Sequence, residues 1–154
     1  MESIREQIMQ NWAETIQSIY VENGYRTDIG LVERFHLGTM SQNRNVTIQV
    51  QQGTETAIDA PIGIEGRRLS IHTTIRVRHD YCEDGLSTDT VFNRLEQDLY
   101  RAVMLDVCRG LPDYVQDTVF QSSESIELDE DGTQGEKTIL FDVVYRHRLG
   151  DMTS

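Results

Sequence analysis

LSIHTTIRVR, residues 69–78, places Leu69, Ile71, Thr73, Ile75 and Val77 at every second position, with Ser70, His72, Thr74, Arg76 and Arg78 between them. Successive side chains of a strand point to opposite faces, so this alternation reads as a strand with one dry and one wet face. Working outward, residues 41–52 repeat the pattern more weakly through Val46, Ile48 and Val50. Towards the C-terminus, Ile139, Phe141, Val143 and Tyr145 alternate with Leu140, Asp142, Val144 and Arg146. TVFQSSESIEL, residues 118–128, reads as a more polar strand, and DEDGTQGEK, residues 129–137, as the turn between the two. An antiparallel sheet that is wet on one side needs a cover on the other.

Two amphipathic helices supply that cover. Ser3 and Glu6 have capping-box spacing, and Ile4, Ile8, Trp12, Ile16, Ile19 and Tyr20 recur at three- and four-residue intervals, so a helix is expected from Ser3 to Tyr20. Asn23-Gly24 is expected to stop it, with Gly24 in the left-handed conformation. A second helix should follow EDGLSTD, residues 83–89, capped by Ser87 or Asp89. Its apolar face would be Val91, Leu95, Leu99, Ala102 and Val103, and Arg101 and Arg109 near its end would suit the helix dipole. The expected class is therefore α+β: a small, mainly antiparallel β-sheet with two α-helices packed on one face. Between the first two strands, QQGTETAIDAPIGIEGRR, residues 51–68, carries three glycines and one of the chain's two prolines. It reads as a long loop or hairpin arm.

The chain has 154 residues, which fits a single domain over 1–154. Twenty-six acidic residues against 14 basic ones give a formal net charge of -12, which disfavours a tight grip on nucleic acid phosphates. The same charge suits a surface past which DNA slides without sticking. No apolar run reaches the ~20 residues that span a bilayer, and MESIREQIMQNW is charged rather than a secretory segment, so a cytosolic protein without membrane contact is expected. Cys82 and Cys108 lie far apart and are expected as free thiols.

Chemistry is sparse. Glu127, Asp129, Asp131 and Gly132 follow the first half of a calcium loop, but the twelfth position is Thr138 where a bidentate carboxylate is needed. His79 and Cys82 have zinc-like spacing and His72 could be a third ligand, yet no second close pair completes a set of four. Asp28, Glu33 and His36 lack a nucleophile or oxyanion hole beside them, and no GxSxG, P-loop, dinucleotide fingerprint or HExxH occurs. The reading is of a non-enzymatic protein without cofactor or metal.

GYRTDIG, residues 24–30, following an N-terminal amphipathic helix, resembles the opening of bacteriophage tail terminator (tail completion) proteins. FDVVYRHRLGDM, residues 141–152, resembles that family's closing strand through Tyr145, Arg146, Gly150 and Asp151. LSIHTTIRV and the helix near Ser87 fall between them in the family's order. Polar SQNRN, residues 41–45, and the long 51–68 segment depart from the pattern. The resemblance implies a structural virion protein: a ring, usually of six copies, that caps the tail tube, stops its polymerisation and presents a surface for joining the head. It implies as partners further copies of the chain, the tail tube protein and head–tail connector or neck proteins, with DNA passing through the lumen. The implied location is the virion tail or neck, after assembly in the host cytoplasm. Another neck or tail-tube component is the nearest alternative, and a metal-dependent enzyme or calcium-binding module a distant one. Candidate interface residues are Tyr25, Arg26 and Asp28 in the GYRTDIG loop, Arg67 at the end of the 51–68 segment, and Arg76 and Arg78 on the wet sheet face.

Overall fold

The computed structural model describes residues 1–29, 31–36, 45–82 and 85–153. Helix α1 spans Ile4–Gln17 and α2 spans Thr88–Met104. The strands are β1 (Leu31–Arg34), β2 (Val46–Ile58), β3 (Ile64–Arg78), β4 (Val115–Ser123), β5 (Glu127–Leu128) and β6 (Gln134–Arg148). They form one sheet in the order β1-β2-β3-β6-β4, with β5 also paired to β6. Every pairing is antiparallel except that of β1 with β2, which is parallel, so the class is α+β with a mixed, mainly antiparallel sheet.

Alternation sets the two faces. Leu69, Ile71, Thr73, Ile75 and Val77 of β3 are buried, as are Ile139, Phe141, Val143 and Tyr145 of β6. Register places Ile71 opposite Phe141 and Leu69 opposite Val143, so these side chains share one face. Both helices lie on it. Trp12 of α1 donates its indole N–H to Thr73 Oγ1 at 3.0 Å and meets Phe141 edge-to-face at 5.2 Å. On α2, Glu96 accepts from Lys137 of β6 at 2.8 Å, and Tyr100 meets Phe120 of β4 edge-to-face. The hydroxyl of Thr73 thus keeps a buried strand position polar because the indole above it needs an acceptor.

The helix starts follow the capping chemistry: Ser3 accepts from the Glu6 amide and Ser87 from the Thr90 amide, each at 3.2 Å. The first helix ends earlier than Tyr20. Ser18 is its C-cap, with the Ser18 hydroxyl on Thr15 O at 2.6 Å and the Asn23 side-chain Nδ2 on Ser18 O at 2.8 Å. Tyr20 is already extended, and Val21–Asn23 form a separate 3-10 turn. Gly24 does take a positive φ, 87°, but it closes that turn rather than the helix.

Of the two readings of residues 51–68, a long loop or a hairpin arm, the structure shows the hairpin. Strand β2 continues to Ile58 and β3 begins at Ile64, so a short turn joins one long hairpin. A bulge between Gln52 and Glu55 accommodates Gly53, where a Cβ would stand 2.7 Å from the His72 ring. Residues 41–44 of the expected strand, together with Gly30, Glu83 and Asp84, fall outside the described residues.

Candidate assembly surfaces

The GYRTDIG loop is built as a joint between the two helices. Its side chains alternate: Tyr25, Thr27 and Ile29 are buried, whereas Arg26 and Asp28 are exposed. Asp98 of α2 is itself buried, and one of its carboxylate oxygens accepts from Thr27 N at 2.7 Å, Thr27 Oγ1 at 2.6 Å and Arg26 N at 3.0 Å. Three donors converging on one carboxylate satisfy a charge that would be costly to bury alone. One turn further along α2, Arg101 donates to Gly24 O at 2.8 Å and lies 5.0 Å over the Tyr25 ring. Asp28 folds back to accept from Val21 N at 2.7 Å, and Ile29 N donates to Ile19 O. Arg26 projects beside a cleft of about 140 Å³ that Arg94 and Tyr81 also line.

Arg67, Arg76 and Arg78 do not share a face. Odd-numbered β3 residues point towards the helices and even-numbered ones away, so Arg67 lies on the helix-bearing side and the other two on the wet side. There, beside the first turn of α1, Arg67 donates to Glu55 at 2.6 Å and to Glu65 at 2.8 Å. Tyr145 donates its hydroxyl to the second oxygen of Glu55 at 2.7 Å, and Arg5 of α1 approaches the same carboxylate at 3.5 Å. His147 donates from Nδ1 to Arg148 O and sets Nε2 3.3 Å from Glu65. Arg67 hydrogen bonds hold Glu65 below the usual carboxylate range, and the two carboxylates raise Arg67. Burial, then the bond to Glu55, pushes the Tyr145 phenol up. On this half of the hairpin, polar side chains take the place of apolar contacts.

On the wet face Arg76 is not a free cation. It binds Glu136 directly across the strand pair, with Nε at 2.6 Å and Nη2 on the same oxygen. Arg78 lies 3.7 Å from Asp80, and Arg68 donates to Asp142, which Gln121 also reaches. Cross-strand pairs of opposite charge stabilise a solvated sheet face.

Two burials escaped the sequence reading, that of Arg109, expected only as a cation suiting the helix dipole, and that of Asp98. Arg109 lies beyond the end of α2, is 1% exposed and has a φ of 53°. Its guanidinium returns to the carbonyls of Val103 and Asp106 and lies 5.2 Å over the Trp12 ring. Burial lowers its pKa to about 10. Asp98 is the second, although its spacing gave a signal: with Val91, Leu95 and Ala102 it falls on the helix's apolar stripe.

The calcium-like spacing is a hairpin turn. Asp129 accepts from Thr133 N, Thr133 Oγ1 and Gln134 N at 2.8, 2.9 and 3.2 Å, and these bonds, the hydroxyl foremost, lower its pKa. His79 and Cys82 bracket a 3-10 turn. Among the described residues no group of three or more His, Cys, Asp or Glu is placed to hold a metal ion. No helix among them is long and apolar enough to cross a membrane.

The chain is similar to a virion protein chain. That chain comes from a structure described as the virion of a native gene transfer agent (GTA) particle, and the likeness covers 94% of this chain and 96% of the other, at 9% identity and a TM-score of 0.48. No protein-family model matches the chain. No curated protein matches it either.

Proposed function

We propose that this protein is a structural component of a phage-like virion that assembles into a ring, capping the tail tube and joining it to the head. The observation that carries the reading is a sheet open at two different margins. β4 pairs only with β6, and β2 beyond Val50 has no strand partner on its outer side among the described residues. Unpaired edges are surfaces on which another chain can dock, and a closed ring needs two unlike surfaces per copy. The resemblance to tail terminators supports the specific role, because both segments that carry it organise the fold: one is the Asp98-anchored joint, the other is the strand on which three strands pair. A net charge of -12 suits a lumen through which DNA passes unheld.

On this reading the protein does no chemistry. Its partners are its own copies, a tube subunit and a head-side neck protein. Exposed Arg26 and Asp28, held on a rigid joint, are placed for contact with a neighbour. Adding the purified protein to polymerising tail tubes of its own phage tests the role. Tubes should stop elongating and carry extra density at one end; tubes that grow unchanged and uncapped would overturn it.

A further inference from the structure

The two ends of β6 differ in chemistry. At its start, β5 and the chain on either side of it expose Glu124, Glu127, Glu130 and Asp131, with Leu128 among them at 63% exposure. Glu127 and Leu128 pair with Glu136 and Gly135 there. At its other end Arg146 and Arg148 are exposed on the face away from the helices, and neither makes an ion pair among the described residues. They rim a cleft of about 280 Å³ whose wall includes Ile64 and Tyr114, with Asp113 as its one carboxylate. Beside it Leu149, 66% exposed, donates its backbone N–H to Gly63 O, which brings it next to fully exposed Ile62. In a chain of net charge -12, two exposed arginines beside two uncovered aliphatic side chains, Ile62 and Leu149, and the half-buried Ile64 stand out at one end.

We propose that the acidic turn at the start of β6 in one copy seats in the arginine-rimmed cleft at the end of β6 in the next, with Leu128 against the aliphatic wall. This rests on the ring reading and specifies its contact. Thirteen residues separate Gly135 from Arg148, so the two patches lie roughly 40 Å apart, at about 3.3 Å per strand residue. A turn cannot reach the cleft of its own chain across that span, so the partner is another copy. The contact is heterologous, the type that closes a ring. An apolar centre with a charged rim is the ordinary anatomy of such interfaces. Arg146 and Arg148 meet no acid from α1 or α2, and Glu65 behind them is already engaged by Arg67 and His147.

Charge reversal tests the pairing. Glu127→Lys with Glu130→Lys in one variant, and Arg146→Glu with Arg148→Glu in another, change exposed side chains, and circular dichroism melts should match the unaltered protein. In native mass spectrometry each variant alone should run as a monomer where the unaltered protein forms rings. Mixed one to one, they should again form rings, because the reversed ends are complementary. A single Leu128→Ser variant should weaken association at least tenfold without reversing any charge, which keeps the test available should a reversed chain misfold. Rings that survive both reversals, or folded variants that stay apart when mixed, would overturn this contact and leave the ring reading standing. An unaltered protein that is monomeric at every concentration would overturn both.

Discussion

Asp98 holds Thr27 through both its amide and its hydroxyl, at 2.7 and 2.6 Å, across a sequence separation of 71 residues. The bond ties the first helix's exit to the middle of the second. Asp98→Ala would leave the Thr27 and Arg26 amides and the Thr27 hydroxyl without an acceptor, the Thr27 pair in a buried place. A loss of ~3 kcal/mol is expected, since each buried donor left unpaired costs about 1–3 kcal/mol and part of the set will find water. Asp98→Asn keeps an acceptor and should lose less than half as much. Urea unfolding of the two variants gives both values.

Gly24 has a φ of 87° and open space where a Cβ would go. Gly24→Val therefore meets no clash beyond its own backbone, and the cost is that of the left-handed conformation, about 1–2 kcal/mol. Gly24→Asn should cost clearly less, because asparagine tolerates this region. Equal melting temperatures for both variants and the unaltered protein would show that the 3-10 turn can re-form without the positive φ.

Alkaline pH should probe the network at the open end of the hairpin. The folded Tyr145 pKa is raised, by burial first and by Glu55 second. The raised value means that the neutral phenol is the stabilised form. Its contribution is complete below the unfolded pKa of about 10 and is lost as pH rises above that towards the folded value. In that window the native state holds one more proton than the unfolded chain at this site. Tyr145→Phe should make the fall of stability with pH shallower by about 1.4 kcal/mol per pH unit. Unfolding free energies for the two proteins at several pH values above about 10 check the slope, and a pair of values below it should show no difference in slope.

Arg26→Ala separates folding from assembly. The backbone amide of Arg26 bonds Asp98, whereas its side chain is exposed, so the change should leave the melting temperature within a degree or two. Association between copies should weaken. Sedimentation velocity on the variant measures the second effect, and an unchanged distribution would remove Arg26 from the interface.

The parts of the fold that were legible in the sequence are those where burial is apolar. Alternation in LSIHTTIRVR and the stripes from Ile4 and Val91 each report a surface packed on hydrophobic side chains. QQGTETAI was not legible as strand because its inward positions carry Glu55 and Ala57, and Glu55 is satisfied by Arg67 and Tyr145 rather than by apolar contact. Strand β1 was missed for another reason: LVER is four residues long and half-buried throughout, so no period could show. Among the candidate site residues, Arg67 looked equivalent to Arg76 and Arg78, yet the odd step along a pleated strand puts it on the other face. Asp98 resembled any helical carboxylate until its place among Leu95 and Ala102 was weighed.

The central claim is that copies of this chain close into a ring without a metal. Native mass spectrometry over a concentration series, with and without a chelator, tests it most directly. The expected result is a dominant species at a fixed integer multiple of 17.7 kDa, six on the tail-terminator resemblance, unchanged by the chelator. A 17.7 kDa species alone at every concentration, or an oligomer that the chelator dissolves, would contradict it.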